Sequence, residues 1–498
     1  MDGLYAAWDE LARWIADPRE SDASPGGFGL DSPDAAGVRG VLDAFWDEVH
    51  AAPARALLQT ETALAVADAH GVSPVLRAEL SRRQATALFS LGRSAESARV
   101  LEAGIALLDG VEDVGEREGA AAVRAAILGF LGNAHLAQGR VPRALVALEE
   151  AIAIARANHM EAPLGVYLSS LGNARIFVGD ADSAEEYYLE GLRIARKHRN
   201  REGEAVNLGN LGLVRQTLGD PDGAEHYYRE ALELARELGD RRSAATLEAN
   251  LGLVCAERGE LEEATRSYQN ALTLARALGD RATEAMALVR QAGVARELGA
   301  FQQATELADH AEACLAEVGD PRRGSVWNER GRVQLELGDA EEARAFFERA
   351  LEAATGIGDR RGEAVAHYDL GRSASQLGHP AEAMGHFQRA LVVARDLGDR
   401  DVDALVQIAR AEALLVMGDT DGAEAALESA ADRASARKGS LLEARYQLGR
   451  ALALARTQPE RARTILGETL IRARERGFKA LASEAERLEG GLAKPGEE

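Results

Sequence analysis

Residues 218–240 read LGDPDGAEHYYREALELARELGD, a helix-length stretch held between two Gly-Asp pairs. The punctuation recurs along the chain. Turn glycines stand at Gly139, Gly179, Gly219, Gly259, Gly299, Gly338, Gly378 and Gly418, a step of 40 residues that is once 39. A second set, half a period out of phase, comprises Gly239, Gly279, Gly319, Gly358 and Gly398, each followed by Asp. Glycine enters the left-handed conformation that ends a helix without a Cβ penalty. The Asp that follows, or a residue just after it, can cap the next helix. Each period is therefore helix, tight turn, helix, tight turn.

Small residues recur where two such helices must approach. Seven positions before each turn glycine stand Gly132, Gly172, Gly212, Gly252, Ala292, Gly331, Gly371 and Ala411. Five after it come Ala144, Ala184, Ala224, Ala264, Ala304, Ala343, Ala383 and Ala423. A large side chain at these crossings would overpack them, at roughly 1–3 kcal/mol each. Four positions further on are Leu148, Tyr188, Tyr228, Tyr268, Ala308, Phe347, Phe387 and Leu427, mostly large and spaced to face the core. They read as packing residues, not as a ligand cage.

This pattern resembles the tetratricopeptide repeat, whose Leu-Gly, turn Gly, Ala, aromatic and Ala positions are matched by Leu211-Gly212, Gly219, Ala224, Tyr228 and Ala231. Trp327 occupies the family's tryptophan position. The 40-residue step and phrases such as LARELGD and LGNLG look most like adaptors of the Pins type and, less closely, kinesin light chain; many bacterial arrays share them. The resemblance is strong over 120–480 and weak over 36–109. It implies an all-α fold, a right-handed superhelical α-solenoid of about eleven hairpins, with the first helix of each lining a concave face. Gln291, Arg330 and Arg410 depart from the motif where it expects Leu.

Read end to end, residues 1–16 form an amphipathic helix with Leu4, Trp8, Leu11 and Ile15 on one face, and 17–35 a Gly/Pro-rich connector. Two irregular hairpins follow over 36–109, the second turning at Gly92. An acidic insert, GVEDVGEREG, spans 110–119, the regular array runs over 120–480, and a capping helix and tail fill 481–498. The last hairpin, near Leu448-Gly449 and Pro459 to Ala462, has one extra residue and no turn glycine. The N-terminal helix either caps the first hairpin or docks into the array as a self-inhibitor.

Composition fits such an array. Apolar residues make up 46% of the 498 and aromatics 5%, so the core is built from Ala and Leu. The formal charge of −23 argues against nucleic acid or an anionic membrane as a direct partner. The basic residues are nearly all Arg, a bias expected of a GC-rich genome. Cys255 and Cys314 supply no disulfide or metal framework and read as buried free thiols in a reducing cytoplasm. No secretory leader is seen, and no stretch approaches the roughly 20 apolar residues of a membrane helix. No phosphate loop, zinc motif or nucleophile elbow occurs, and the ten His share no clear ligand spacing. No catalytic residue, metal or cofactor is expected.

Repeat position selects side chains that point inward. Asn133, Asn173, Arg332 and Arg372 follow the first-helix glycine; Asn210, Asn250 and Arg290 lie two before it or its Ala counterpart; Asn328 and Tyr368 lie three before it; Arg296 lies one turn on. Asn carries both donor and acceptor, which suits the backbone of an extended peptide, and Arg can clamp a carboxylate. In the resembling adaptors inward Asn and Arg hold extended peptides, and Asn133, Asn173, Asn210, Asn250 and Arg290 match that pattern. Inward polar groups also serve solubility, and Arg290 or Arg332 could simply pair with Glu297, Glu329 or Glu336. Four hydrogen bonds at roughly 1 kcal/mol each fall short of the about 8 that micromolar binding needs. Such a ligand must therefore also bury apolar groups, against Leu136, Ile176, Phe177 or Leu213. The expected function is a protein-interaction scaffold taking an extended partner segment. The alternative is a regulatory sensor that binds a peptide or small ligand and changes its superhelical pitch. Self-association is compatible with both.

Overall fold

The computed structural model describes residues 49, 52–69, 73–109, 111, 114–320, 322–437 and 439–491. The expected N-terminal helix (1–16), the connector (17–35) and the tail after 491 lie outside the described residues. The regular structure among those described is entirely α-helical, in 22 helices of which each packs against its successor along most of the chain. The chain divides into two compact units, 1–203 and 204–498.

The first unit contains α1 (Pro53–Ala69), α2 (Pro74–Ser90), α3 (Ser94–Leu108), α4 (Val114–Ala137), α5 (Val141–Ala157), α6 (Glu161–Phe177) and α7 (Ala181–Lys197). Hairpins α2–α3, α4–α5 and α6–α7 follow the expected order, the first turning at Gly92. Two expectations need correction here. The acidic insert is not a separate segment, because Val114 to Gly119 form the opening turns of α4 and extend it to 24 residues. One stretch, Gly119–Ala137, does have the length and apolar composition of a membrane span. Its Ile127, Leu128 and Leu131 are buried in the core this unit builds, with Leu148 and Leu168 beside them.

The second unit begins within α8 (Arg201–Leu218) and continues through α9 (Pro221–Glu237), α10 (Arg241–Glu257), α11 (Leu261–Leu278), α12 (Arg281–Glu297) and α13 (Phe301–Glu317). Next come α14 (Gly324–Leu337), α15 (Ala340–Ile357), α16 (Arg360–Gln376), α17 (Pro380–Asp396), α18 (Arg400–Met417) and α19 (Thr420–Ala436). The unit ends with α20 (Leu441–Leu454), α21 (Pro459–Glu475) and α22 (Lys479–Gly491). Seven hairpins, α8–α9 to α20–α21, follow one pattern, and α22 packs on α21. The last hairpin turns through Gln458, without glycine, as expected.

The Gly-Asp pairs act as read except Gly319-Asp320, where Asp320 bonds Arg322 and α14 starts only at Gly324 without a side-chain cap. Gly219 has φ of 88°, and the Asp220 carboxylate accepts from the Gly223 N–H at 2.9 Å. Asp180, Asp240, Asp280, Asp339, Asp359, Asp399 and Asp419 cap their helices in the same way. Each such cap contributes about 1 kcal/mol. Two half-period turns were missed because no glycine marks them. His159 and Arg199 take φ of 54° in the places that Gly239 and Gly279 fill later.

The crossings are tight. A Cβ on Gly212 would lie 2.6 Å from the Tyr228 ring, and one on Gly331 or Gly371 would lie 2.4 Å from Phe347 or Phe387. The pairing is compensated in volume at two positions, whereas Gly132 keeps glycine against Leu148, 2.5 Å from where a Cβ would lie. Where the ring shrinks to Ala308, the glycine position becomes Ala292; where it becomes Leu427, Ala411 stands opposite in register, and all four are buried. The motif departures are also accommodated: Arg330 pairs with Asp309 and Glu312, and Arg410 bonds to Gln407.

Beyond the hairpin sequence, the second unit closes on itself. Arg437 donates to the Gln216 carbonyl at 3.1 Å and pairs with Glu257 at 3.1 Å, while Arg433 reaches the Thr217 carbonyl at 3.3 Å and Arg476 the Arg258 carbonyl at 2.9 Å. These carbonyls lie at the C-terminal ends of α8 and α10, where helix acceptors lack intrahelical donors and the dipole favours cations. Phe478, Leu481 and Ala485 join Cys255, Leu261 and Tyr268 in one apolar cluster. The C-terminal helix therefore does more than cap the last hairpin: it seals against repeats more than 200 residues earlier.

Two outcomes follow. Gly331→Ala is expected to destabilise its hairpin by about 1–3 kcal/mol, because the overlap with Phe347 outweighs alanine's helix preference of about 1 kcal/mol. Adding Phe347→Leu recreates the Ala411/Leu427 combination and should recover part of the loss, read by hydrogen exchange of α14 and α15 amides. Arg199→Gly should raise the local opening free energy of α7 by about 1 kcal/mol, by removing a side chain from a left-handed backbone.

Candidate inner-face binding site

A residue two places before the crossing glycine is turned about 200° around the helix from it. It therefore faces away from the second helix of its own hairpin. In the second unit this rule places Asn210, Asn250 and Arg290 in equivalent register on α8, α10 and α12. Asn210 and Asn250 are half-buried and make no hydrogen bond within the described structure, so their amides are free to bond a ligand. Arg290 lies near Tyr268, where its charge works against the rise in the hydroxyl's pKa that burial causes. Leu213, beside them on α8, is 41% exposed.

In the first unit Asn133 is half-buried and free, whereas Asn173 accepts a 2.7 Å bond from the Tyr188 hydroxyl. Phe177, on the last turn of α6, is 61% exposed, and Leu136 and Ile176 are half-buried.

The later residues of the set are differently employed. Arg296 is buried and bridges Glu297 and Glu329, each at 2.7 Å. Arg332 lies 2.9 Å from Asp369 and 3.6 Å from Glu329. Arg372 sits 3.8 Å from Glu336 and 5.8 Å from the centre of the buried Tyr368 ring. Asn328 is buried, its Oδ1 without a hydrogen-bond partner. Burial works against the guanidinium charge of Arg296 and Arg332, but the facing carboxylates outweigh it and raise both pKa values. A partner carboxylate would have to displace Glu329 or Asp369 to reach these arginines.

Three charged members of this interior were not anticipated. Glu412 on α18 is pushed up to about 7 by burial and by the Glu484 carboxylate of α22, against the pull of Arg445 and Arg372. Arg445, on α20, also acts on Glu297 and Glu336. The clasp residues Arg433, Arg437 and Phe478 were missed as well. Their partners lie some 180 to 220 positions away in sequence, beyond any local pattern. His367 and His386 do meet across one hairpin, 3.2 Å apart. The sulfur of Cys255 lies near Glu260 and Glu263, but burial pushes its thiol up to about 12 and keeps it protonated.

Sequence models of the tetratricopeptide repeat match residues 322–396 and 404–429, and a model of the MalT-like tetratricopeptide region matches 116–277. No curated protein matches the chain. Among solved structures it is similar to a Rap protein complexed with competence and sporulation factor, at 16% identity and a TM-score of 0.55 over 72% of this chain and 97% of that one. The apo quorum sensor NprR from B. thuringiensis aligns at 13% identity and a TM-score of 0.53, over 72% and 98%. Aspartyl phosphate phosphatase F from Bacillus subtilis aligns at 13% identity and a TM-score of 0.50, over 70% and 92%. At these identities the likeness is one of fold, an all-α solenoid. Repeat register, helix crossings and matched models agree, and the chain is a tetratricopeptide-repeat protein.

Proposed function

We propose that this protein is an interaction scaffold that holds an extended segment of a partner protein against the inner helix faces, acting by binding and not by catalysis. One observation carries the reading: Asn210 and Asn250 repeat in register on successive first helices with their amides free, next to exposed Leu213. Free amides at a regular interval suit a ligand whose own backbone is regular and extended. Arg290 continues the row. Asn133 and exposed Phe177 offer the same combination in the first unit. Arg296, Asn328, Arg332, Tyr368 and Arg372 serve this reading as the internally braced wall, with Asn328 keeping one acceptor spare. The Rap structure is a complex with competence and sporulation factor, which supports binding as the use of such a fold. Two free buried cysteines support a reducing, cytoplasmic setting.

A second reading, a ligand-responsive sensor, is favoured by the closure of the second unit. Glu257, Arg437 and Asp401 tie α10 to the α18–α20 region through a few polar bonds. Burial opposes the Asp401 charge, yet Arg433 and Arg437 hold its pKa below the usual carboxylate range. A contact of this size can be exchanged for contacts with a ligand.

The scaffold reading is tested with a phage-displayed library of extended 12-residue peptides selected on the wild-type protein. Substituting Asn210, Asn250 and Arg290 together by Ala should weaken the selected peptides about 100-fold, from three lost bonds of roughly 1 kcal/mol each. Circular dichroism should be unchanged. Undiminished affinity would refute the assignment of these residues. Arg332→Ala should instead destabilise the second unit by about 3–5 kcal/mol, because Asp369 is left buried and unpaired. For the sensor reading, Arg433→Ala/Arg437→Ala should enlarge the radius of gyration in X-ray scattering, and a selected peptide should change the wild-type radius. A radius indifferent to both would remove that reading.

A further inference from the structure

His367 lies on α16 and His386 on α17, facing each other within one hairpin. Their Nδ1 atoms are 3.2 Å apart, with ring centroids 5.3 Å apart and planes inclined by 43°. In the preceding hairpin the same two register positions hold Trp327 and Phe346, and Arg349 stacks over both rings. The chain has thus replaced two aromatic side chains that flank one arginine by two imidazoles that meet directly, with Arg389 in the place of Arg349. Both rings are half-buried, so they are held by packing and still reached from solvent.

We propose that His367 and His386 form a binding site for a divalent transition cation of the zinc class, bound through the two Nδ1 atoms with water completing the shell. The geometry is the argument. Zinc–nitrogen bonds of about 2.0–2.1 Å at a tetrahedral angle separate the two nitrogens by about 3.3 Å, and this structure already holds them at 3.2 Å. The metal therefore takes the place of the single proton shared between the rings, without movement of either helix. That proton transfers to the Nε2 of the ring that carried it, leaving both Nδ1 lone pairs for the cation.

Charge state favours the same occupant. Burial, the neighbouring His386 and Arg389 bring the His367 pKa down to about 4, and burial and Arg389 lower that of His386 as well. Both imidazoles are neutral at pH 7, which is the form that ligates metal. Imidazole nitrogen selects zinc, copper and nickel over magnesium or calcium. Glu382 lies one helical turn before His386, on the same face, and is held by Arg344 at 2.8 Å. Two protein ligands beside Arg389 imply micromolar rather than nanomolar affinity. Bound metal would staple α16 to α17.

The test is zinc titration of the full chain against a chromogenic chelator of micromolar affinity, with thermal unfolding in parallel. The comparison variant is His367→Trp/His386→Phe, which restores the two residues that the preceding hairpin carries at these positions and is expected to fold. Wild-type protein should bind one more zinc equivalent than this variant, and zinc should raise the unfolding midpoint of the wild type alone. His379→Ala, about two turns before His386 and exposed, should behave as wild type. Cobalt substituted for zinc should give visible absorption of tetrahedral intensity that the double variant lacks. Equal stoichiometry and equal affinity in wild type and double variant would overturn the proposal. So would a zinc-dependent midpoint shift that survives in the double variant.

Discussion

The close approach of two helices at a glycine facing an aromatic ring is the constraint on which this architecture rests. At Gly212, Gly252, Gly331 and Gly371 the ring of the second helix fills the space a Cβ would need. Helix-to-helix distance is thereby fixed by excluded volume, and one hairpin presents nearly the same geometry to the next. The chain respects this sum when it departs from it, as the Ala292/Ala308 and Ala411/Leu427 positions show. Interiors packed to crystalline density leave little alternative.

Equal hairpins leave the inner helix positions free of packing duty, and the chain uses them in two ways. On α8 and α10 the positions two before the crossing glycine are Asn210 and Asn250, whose amides make no hydrogen bond among the described residues. On α12 to α16 they are charges that satisfy one another, as Arg296 and Arg332 do with Glu297, Glu329 and Asp369. Buried ion pairs of this kind contribute little net stability, but they are costly to break singly. They hold these repeats in one relative arrangement, while the amide-lined stretch has no internal competitor for a ligand's hydrogen bonds. A comparable exchange separates two successive hairpins where Trp327 and Phe346 give way to His367 and His386.

How much of this was legible depended on the range of each interaction. Helix ends were readable wherever glycine stood, because a left-handed residue and a capping Asp are local signals. They failed at His159 and Arg199, where neighbouring structure imposes the conformation on residues that do not favour it. Residues 114–119 were misjudged because acidic residues and glycines resemble a loop, whereas Val114 onward is helical once α4 has partners to pack against. Counting from the glycine was enough to turn Asn210 and Asn250 away from the second helix of their own hairpin. Whether each inner Arg is free or engaged could not, since that depends on which acid the next hairpin presents.

The sequence by itself determined the repeat: its period, the helix boundaries that glycine marks and the crossing pairs. All of these follow from backbone preference and side-chain volume within about 40 residues. Only the tertiary structure decided the closure of the second unit, the internal neutralisation of its arginines, the raised pKa of Glu412 beside Glu484 and the meeting of His367 with His386. These depend on small rotations between successive hairpins and on the packing of one helix against another. Charge and hydrogen bonding act at a few ångströms, and no pattern along the chain carries distances across space.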